Sequence, residues 1–167
     1  MSSTAERPQP RSAGLLLYRG GPENLELFLA HPGGPFFRRR DAGAWTLPKG
    51  IIEPDEAPEQ TARREFREEV GFIPQGELLP LGTVQQRGGK IVAGFAVAGD
   101  LPDHFELESN TFEMEWPPKS GRRVRFPEVD RVAFFSAEEA REKLNPAQVA
   151  FIDRLLAHLE GERPSDP

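Results

Sequence analysis

Residues 50–72 read GIIEPDEAPEQTARREFREEVGF: a glycine, a proline-broken acidic run, then a segment with helical character. Pro58 suits a first helical turn, where its missing N–H costs nothing, and Gly71 supplies the usual stop. The pattern therefore predicts a helix from about Pro58 to Val70. At roughly 100° per residue, Glu68 lies about 60° to one side of Glu65 and Glu69 about 40° to the other. Ala62, Phe66 and Val70 form an adjoining apolar stripe, so the three carboxylates flank the buried face.

Like charges at these spacings cost roughly 0.2–0.5 kcal/mol per pair. Two readings fit the helix taken alone. Arg63, Arg64 and Arg67 can neutralise the glutamates in ordinary surface pairs, which contribute little. Alternatively, a hard divalent cation such as Mg²⁺ takes the three oxygen donors and offsets their repulsion.

Outward from this segment the chain reads as strands and two further helices. AGLLLYR (13–19) is continuously apolar and LELFLAH (25–31) alternates before turning apolar, with GGPEN (20–24) as the turn of a hairpin. A second hairpin joins ELLPLGTVQQ (77–86) to KIVAGFAVAG (90–99) through RGG (87–89), and RVAFFS (131–136) is a further strand. SAEEAREKL (136–144) reads as a helix that restarts after Asn145-Pro146 over 147–160, with Ala150, Phe151 or Ile152, Leu155 and Leu159 as its apolar stripe. Residues 1–11 and 161–167, rich in Pro, Ser and charge, read as disordered ends around one domain spanning 12–160. Hairpins with an interposed helix and a C-terminal helix describe a mixed α/β domain.

Composition narrows the classes. The 167 residues suit one domain and contain no cysteine, which excludes a disulfide scaffold, a zinc–cysteine site and thiol catalysis. No apolar run approaches the ~18 residues of a transmembrane helix, and the polar N-terminus is unlike a signal peptide. A cytoplasmic protein without membrane contact is expected. The net charge of −6 argues against stable nucleic-acid binding, although a local basic pocket can still receive an anionic substrate.

The wider context separates the two readings of the helix. Five residues separate Gly50 from Glu56 and seven separate Glu56 from Arg64; then come Glu65, apolar Phe66, Arg67, Glu68, Glu69, Val70, Gly71 and apolar Phe72. This closely resembles the box of the Nudix (MutT-like) hydrolases, G-x5-E-x7-R-E-U-x-E-E-x-G-U with U apolar, and every fixed position is filled. The resemblance implies an α/β/α sandwich with a mixed central sheet and a C-terminal helix. It also implies Mg²⁺- or Mn²⁺-dependent hydrolysis of a nucleoside diphosphate linked to a second group. By analogy, Glu65, Glu68 and Glu69 hold the metal, joined by the backbone carbonyl of Lys49. Glu56 and Arg64 tie the box loop to its helix, Gly50 suits the loop turn, and Gly71 ends the helix.

Such enzymes often recruit another carboxylate from a later loop. Glu113, Glu115 and Glu128 are the candidates; Glu128 is favoured because it precedes the aromatic strand 132–135. Which carboxylate serves as the base is left open. Lys49, Arg38, Arg40 and Arg123 are candidate phosphate contacts, the last on the basic loop KSGRRVR (119–125), and Trp45, Phe36, Phe37 and Trp116 can stack on a base or sugar, Trp45 and Trp116 being the ones to test. Position 87, near which ADP-ribose hydrolases tend to carry proline, is Arg87, and the single tyrosine is Tyr18, so family substrate markers do not narrow the nucleotide. The expected partner is a nucleotide or other diphosphate-containing small molecule, the state a monomer or homodimer. The competing class is a nucleotide-sensing module without catalysis; such modules commonly lose box glutamates, and all are present here.

Overall fold

In the computed structural model, which describes residues 9–162, the apolar run 15–17 lies in a strand covered on both faces. That strand, β1 (Ser12–Arg19), is followed by β2 (Glu26–Pro32), β3 (Lys49–Ile51), α1 (Pro58–Val70), β4 (Leu79–Gln85) and β5 (Ile91–Ala98). Then come β6 (Thr111–Glu115), β7 (Arg123–Pro127), β8 (Val129–Ser136), α2 (Ala137–Lys143), a 3-10 turn (Pro146–Gln148) and α3 (Val149–Gly161). The central sheet runs β4-β5-β1-β2-β8, with β3 paired to the first residues of β1. It is mixed, because β1 and β5 are parallel while the other pairs are antiparallel.

Alternation in these strands builds two cores. Leu16, Leu27 and Leu29 face α2 and α3, where Phe151, Ile152 and Leu155 are fully buried. Leu15, Leu17, Phe28 and Phe95 face α1 through Ala62, Phe66 and Val70. The result is the expected α/β/α sandwich. Both expected hairpins form, β1 with β2 at Tyr18↔Leu27 and β4 with β5 from Leu79↔Ala96 to Gln85↔Ile91. Among the described residues no helix is long and apolar enough to cross a membrane.

Three strands were not expected. β3 is three residues long, too short to show a period. β6 and β7 form a separate two-stranded hairpin, so the supposed basic loop 119–125 is a turn plus the start of β7. One face of this hairpin pairs Phe112 with Phe126 and Met114 with Val124; the other pairs Glu113 with Arg125 and Glu115 with Arg123. Charge on every second residue disguises the strand. The expected disordered ends fall largely outside the described residues, but the backbone of Arg11 is tied in, donating to Ile91 (3.0 Å) and accepting from Ile52 (2.9 Å).

Candidate functional site

Burial of Phe66 and Val70 fixes the rotation of α1, and Gly71 ends it at φ 110°, donating its N–H to Arg67 at 2.9 Å. The glutamates are thereby turned toward β3 on one side and the chain entering and leaving the β6–β7 hairpin on the other. Glu69 Oε2 accepts the Lys49 backbone N–H at 2.9 Å. The Glu68 carbonyl accepts from the Asn110 N–H (2.8 Å), the Asn110 carbonyl from the Glu128 N–H (2.9 Å), and the Glu128 carbonyl from the Gly33 N–H (2.8 Å). Gly50 lies in β3 and not in a turn as expected. A Cβ on it would stand 2.0 Å from Glu65 Cδ, so glycine here makes room for the carboxylate.

Arg64 is the hub of the site. Its Nε and one terminal nitrogen clamp Glu56 at 2.7 and 2.9 Å. The other terminal nitrogen reaches Glu65 at 2.9 Å and Glu68 at 3.2 Å. Held first by this guanidinium and then by the Thr61 hydroxyl, the Glu56 carboxyl drops to about 2. The guanidinium's hydrogen bonds to Glu56, with the charge of Glu65 and the bond to Glu68, raise the Arg64 pKa. Arg63 does not join the ion pairs; it caps the carbonyls of Pro74 (2.8 Å) and Gly76 (2.5 Å).

Of the remaining carboxylates, Glu65 and Glu68 share the one Arg64 guanidinium. Burial and then repulsion from Glu65 push Glu69 up to about 8, against the pull of the Lys49 N–H. Burial and repulsion from Glu68 likewise raise Glu65, and burial raises Glu128. Glu128 adds the smallest part of the repulsion at both Glu65 and Glu69. Glu113 and Glu115 stand apart on exposed β6, with Glu113 paired to Arg125 at 3.2 Å. Among the described residues no three acidic or histidine side chains converge into a ready cation cage, since Arg64 holds Glu65 and Glu68 while the Lys49 N–H holds Glu69. The donor set still suits a hard divalent ion: it is all oxygen, and like charges stand close together on one helix.

Beside the carboxylates opens a cavity of about 830 Å³, lined in part by Lys49, Arg40, Arg87, Phe37, Thr46 and Gln148. Its size suits a nucleotide-sized ligand. Burial lowers the Lys49 ammonium pKa, with Glu69 pulling the other way. Gln148, fully buried, shapes the floor by accepting from the Leu47 N–H at 3.0 Å and donating to Thr46 Oγ1 (2.9 Å) and Gln86 Oε1 (2.8 Å). Of the aromatic residues read as able to stack, Phe37 lines this cavity, whereas Gln148 and Arg87 were not among the expected site residues. Only the basic side chain of Arg87, in a glycine turn, offered a signal.

Trp45 requires correction. Its ring is 4% exposed and packs edge-on against His31 (5.2 Å) and Phe135 (4.9 Å), with Nε1–H donating to Asp41 at 2.8 Å. No face is left open to stack on a base. Arg123 sits on exposed β7, opposite Glu115 and away from the cavity lining. Arg38 lines a separate cleft against Trp116, so of the predicted phosphate contacts only Lys49 and Arg40 line the large cavity.

A family model described as the NUDIX domain matches residues 8–155. The RNA pyrophosphohydrolase of Hahella chejuensis is 39% identical over 62 residues, 36% of this chain and 38% of that protein. That of Gluconacetobacter diazotrophicus is 35% identical over 74 residues, 42% of each chain. The chain thus matches only about two fifths of the length of these curated relatives. Among solved structures, a Caenorhabditis elegans Ap4A hydrolase complex superposes with a TM-score of 0.64 at 22% identity, covering 90% of this chain and 99% of that one. The NUDIX domain of Shewanella oneidensis NrtR, complexed with ADP ribose, gives 0.62 at 18% identity, covering 95% and 94%. At such identities these likenesses speak to the fold.

Proposed function

The chain belongs to the NUDIX family, and we propose that it hydrolyses the pyrophosphate linkage of a nucleoside diphosphate joined to a second group, with Mg²⁺ or Mn²⁺. The observation that carries this reading is the crowded carboxylate cluster on α1, in which half-buried Glu69 has its pKa pushed up to about 8, beside a nucleotide-sized cavity edged by Lys49, Arg40 and Arg87. The curated relatives' name supports pyrophosphate cleavage as the reaction class. The shared segment is too short to carry their substrate over.

Glu65, Glu68 and Glu69 would hold the metal, with Glu128 and the Lys49 carbonyl as further ligands. A divalent ion there supplies neutralisation of the phosphate oxygens and a lowered pKa for bound water. The chain's own groups do the rest. Lys49 and Arg40 draw the phosphates to the cavity mouth. Arg64 keeps Glu65 and Glu68 in place while its clamp on Glu56 fixes the box loop. The water oxygen forms the new P–O bond, and the bridging P–O bond breaks with its electron pair on the departing phosphate. The water's proton passes to a carboxylate of the site, Glu128 or one of the α1 glutamates.

The test is turnover of a panel (dNTPs, NDP-sugars, ADP-ribose, dinucleoside polyphosphates and 5′-triphosphorylated or capped RNA) with Mg²⁺, with Mn²⁺ and with chelator. Metal-dependent release of a nucleoside monophosphate, phosphate or pyrophosphate from at least one compound is expected. Tight nucleotide binding without turnover of any would instead make the chain a sensing module.

A further inference from the structure

The β6–β7 hairpin stands outside the main sheet and is not used by the hydrolytic site. An isolated two-stranded hairpin is only marginally stable, so it needs a neighbour for its apolar face. The neighbour is the loop 33–40, GGPFFRRR. A Cβ on Gly34 would lie 3.0 Å from the Phe112 ring, and Phe36 meets Trp116 edge-on at 5.6 Å. Between loop and hairpin lies a cleft of about 300 Å³ bordered by Pro35, Arg38, Trp116 and Phe126.

Two properties of this surface are unusual. Phe36 is 63% exposed although it belongs to an aromatic pair, so an open ring stands at the surface. The charge is also one-sided. The loop carries Arg38, Arg39 and Arg40, and the hairpin Lys119, Arg122, Arg123 and Arg125, against only Glu113 and Glu115. That is a net +5 within a chain of net −6. Of the hairpin cations only Arg125 forms an ion pair, with Glu113 at 3.2 Å; Lys119, Arg122 and Arg123 form none among the described residues. Lys119 even occupies a left-handed conformation (φ 63°) at the tip, where glycine would cost less.

We propose that the hairpin and the 33–40 loop together form a docking surface for single-stranded nucleic acid, stacking bases on the Phe36–Trp116 pair and placing backbone phosphates on the unpaired cations. Exposed aromatic rings set among cations are the chemistry that binds single strands without regard to sequence. An acidic protein segment would use the charges but not the rings, so charge complementarity and stacking together favour nucleic acid. The chain's net negative charge argues against stable nucleic-acid binding in general, but on this surface seven cations face Glu113 and Glu115 of the hairpin and Asp130 in the cleft. The base of the hairpin is bonded to α1 through Asn110 and Glu68, and its five-residue strands reach about 17 Å outward. A strand lying along it would deliver its phosphorylated end to the carboxylates, a consequence that rests on the function proposed above; the docking itself does not.

Binding of a 3′-fluorescein-labelled hexauridylate carrying a 5′ monophosphate is measured by anisotropy on the full chain in chelator, where hydrolysis plays no part. The wild type is expected to bind, with affinity falling linearly in log–log form as salt rises. Trp116→Ala should weaken binding at least about fivefold, corresponding to ~1 kcal/mol of lost stacking, while Trp116→Phe retains most of it. Lys119→Glu with Arg122→Glu, both on the exposed tip, should weaken binding further and flatten the salt dependence. The proposal is overturned if the wild type does not bind at low salt, if Trp116→Ala and the charge reversal both bind like wild type, or if a poly-glutamate peptide of matched charge competes as well as unlabelled hexauridylate. Because turnover of small nucleotides is measured separately, failure of this surface and failure of the hydrolytic reading cannot be confused.

Discussion

Gly50 and Glu56 show how single residues hold this site together. A Cβ at position 50 would stand 2.0 Å from Glu65 Cδ, so Gly50→Ala should push that carboxylate off its position. We expect activity to fall at least about tenfold, ~1.4 kcal/mol of barrier, while the thermal midpoint stays near wild type because one flexible side chain absorbs the clash. Glu56 gives a prediction of opposite kind. Its folded pKa of about 2 lies below the ordinary 4.5, so its contribution is present above the ordinary value and is lost as pH falls from there toward 2. Acid-denaturation curves of Glu56→Gln should therefore be flatter over that window, and the variant less stable at neutral pH. The Glu56–Arg64 partnership was legible in the sequence through the resemblance. The burial of Trp45 was not: an indole between alanine and threonine in a glycine-bearing loop gives no sign that Asp41 waits for its N–H.

At the scale of elements, α1 carries both the packing and the chemistry. Phe66 is fully buried and meets the rings of Phe28 (5.7 Å) and Phe72 (5.2 Å). Phe66→Ala should cost about 3–5 kcal/mol in urea denaturation, and one below about 1 kcal/mol would mean the helix is anchored otherwise. This helix could be read in advance because its start, stop and apolar period agree. The paired strands of the main sheet were readable for the same reason, from apolar runs separated by glycine turns. The β6–β7 hairpin was not, since Thr-Phe-Glu-Met-Glu and Arg-Val-Arg-Phe-Pro bury only one face and carry charge on the other. β3 was hidden by brevity, although its Lys49 N–H is what holds Glu69.

For the whole molecule, the carboxylate cluster links stability, pH and metal. Glu69 releases its proton near 8 in the folded chain but at the ordinary carboxyl value when unfolded. The metal-free protein should therefore lose stability as pH rises from about 5 to 8, because the unfolded chain ionises first. A divalent ion binds the ionised form, so the rise in melting temperature on adding Mg²⁺ or Mn²⁺ should grow across the same window. Metal-induced shifts independent of pH would count against Glu69 as a ligand. The fold around the cluster followed from pattern, whereas the cavity beside it, floored by Gln148 from the far end of the chain, depended on long-range packing that no local period encodes. The central claim, that the α1 glutamates serve a metal-dependent hydrolysis, is tested most directly by the turnover rate of Glu69→Gln and Glu68→Gln on the best substrate of the panel, at saturating metal. We expect each to lose at least about a hundredfold, ~2.7 kcal/mol of barrier, with the fold intact by circular dichroism; near-wild-type rates in both variants would contradict it.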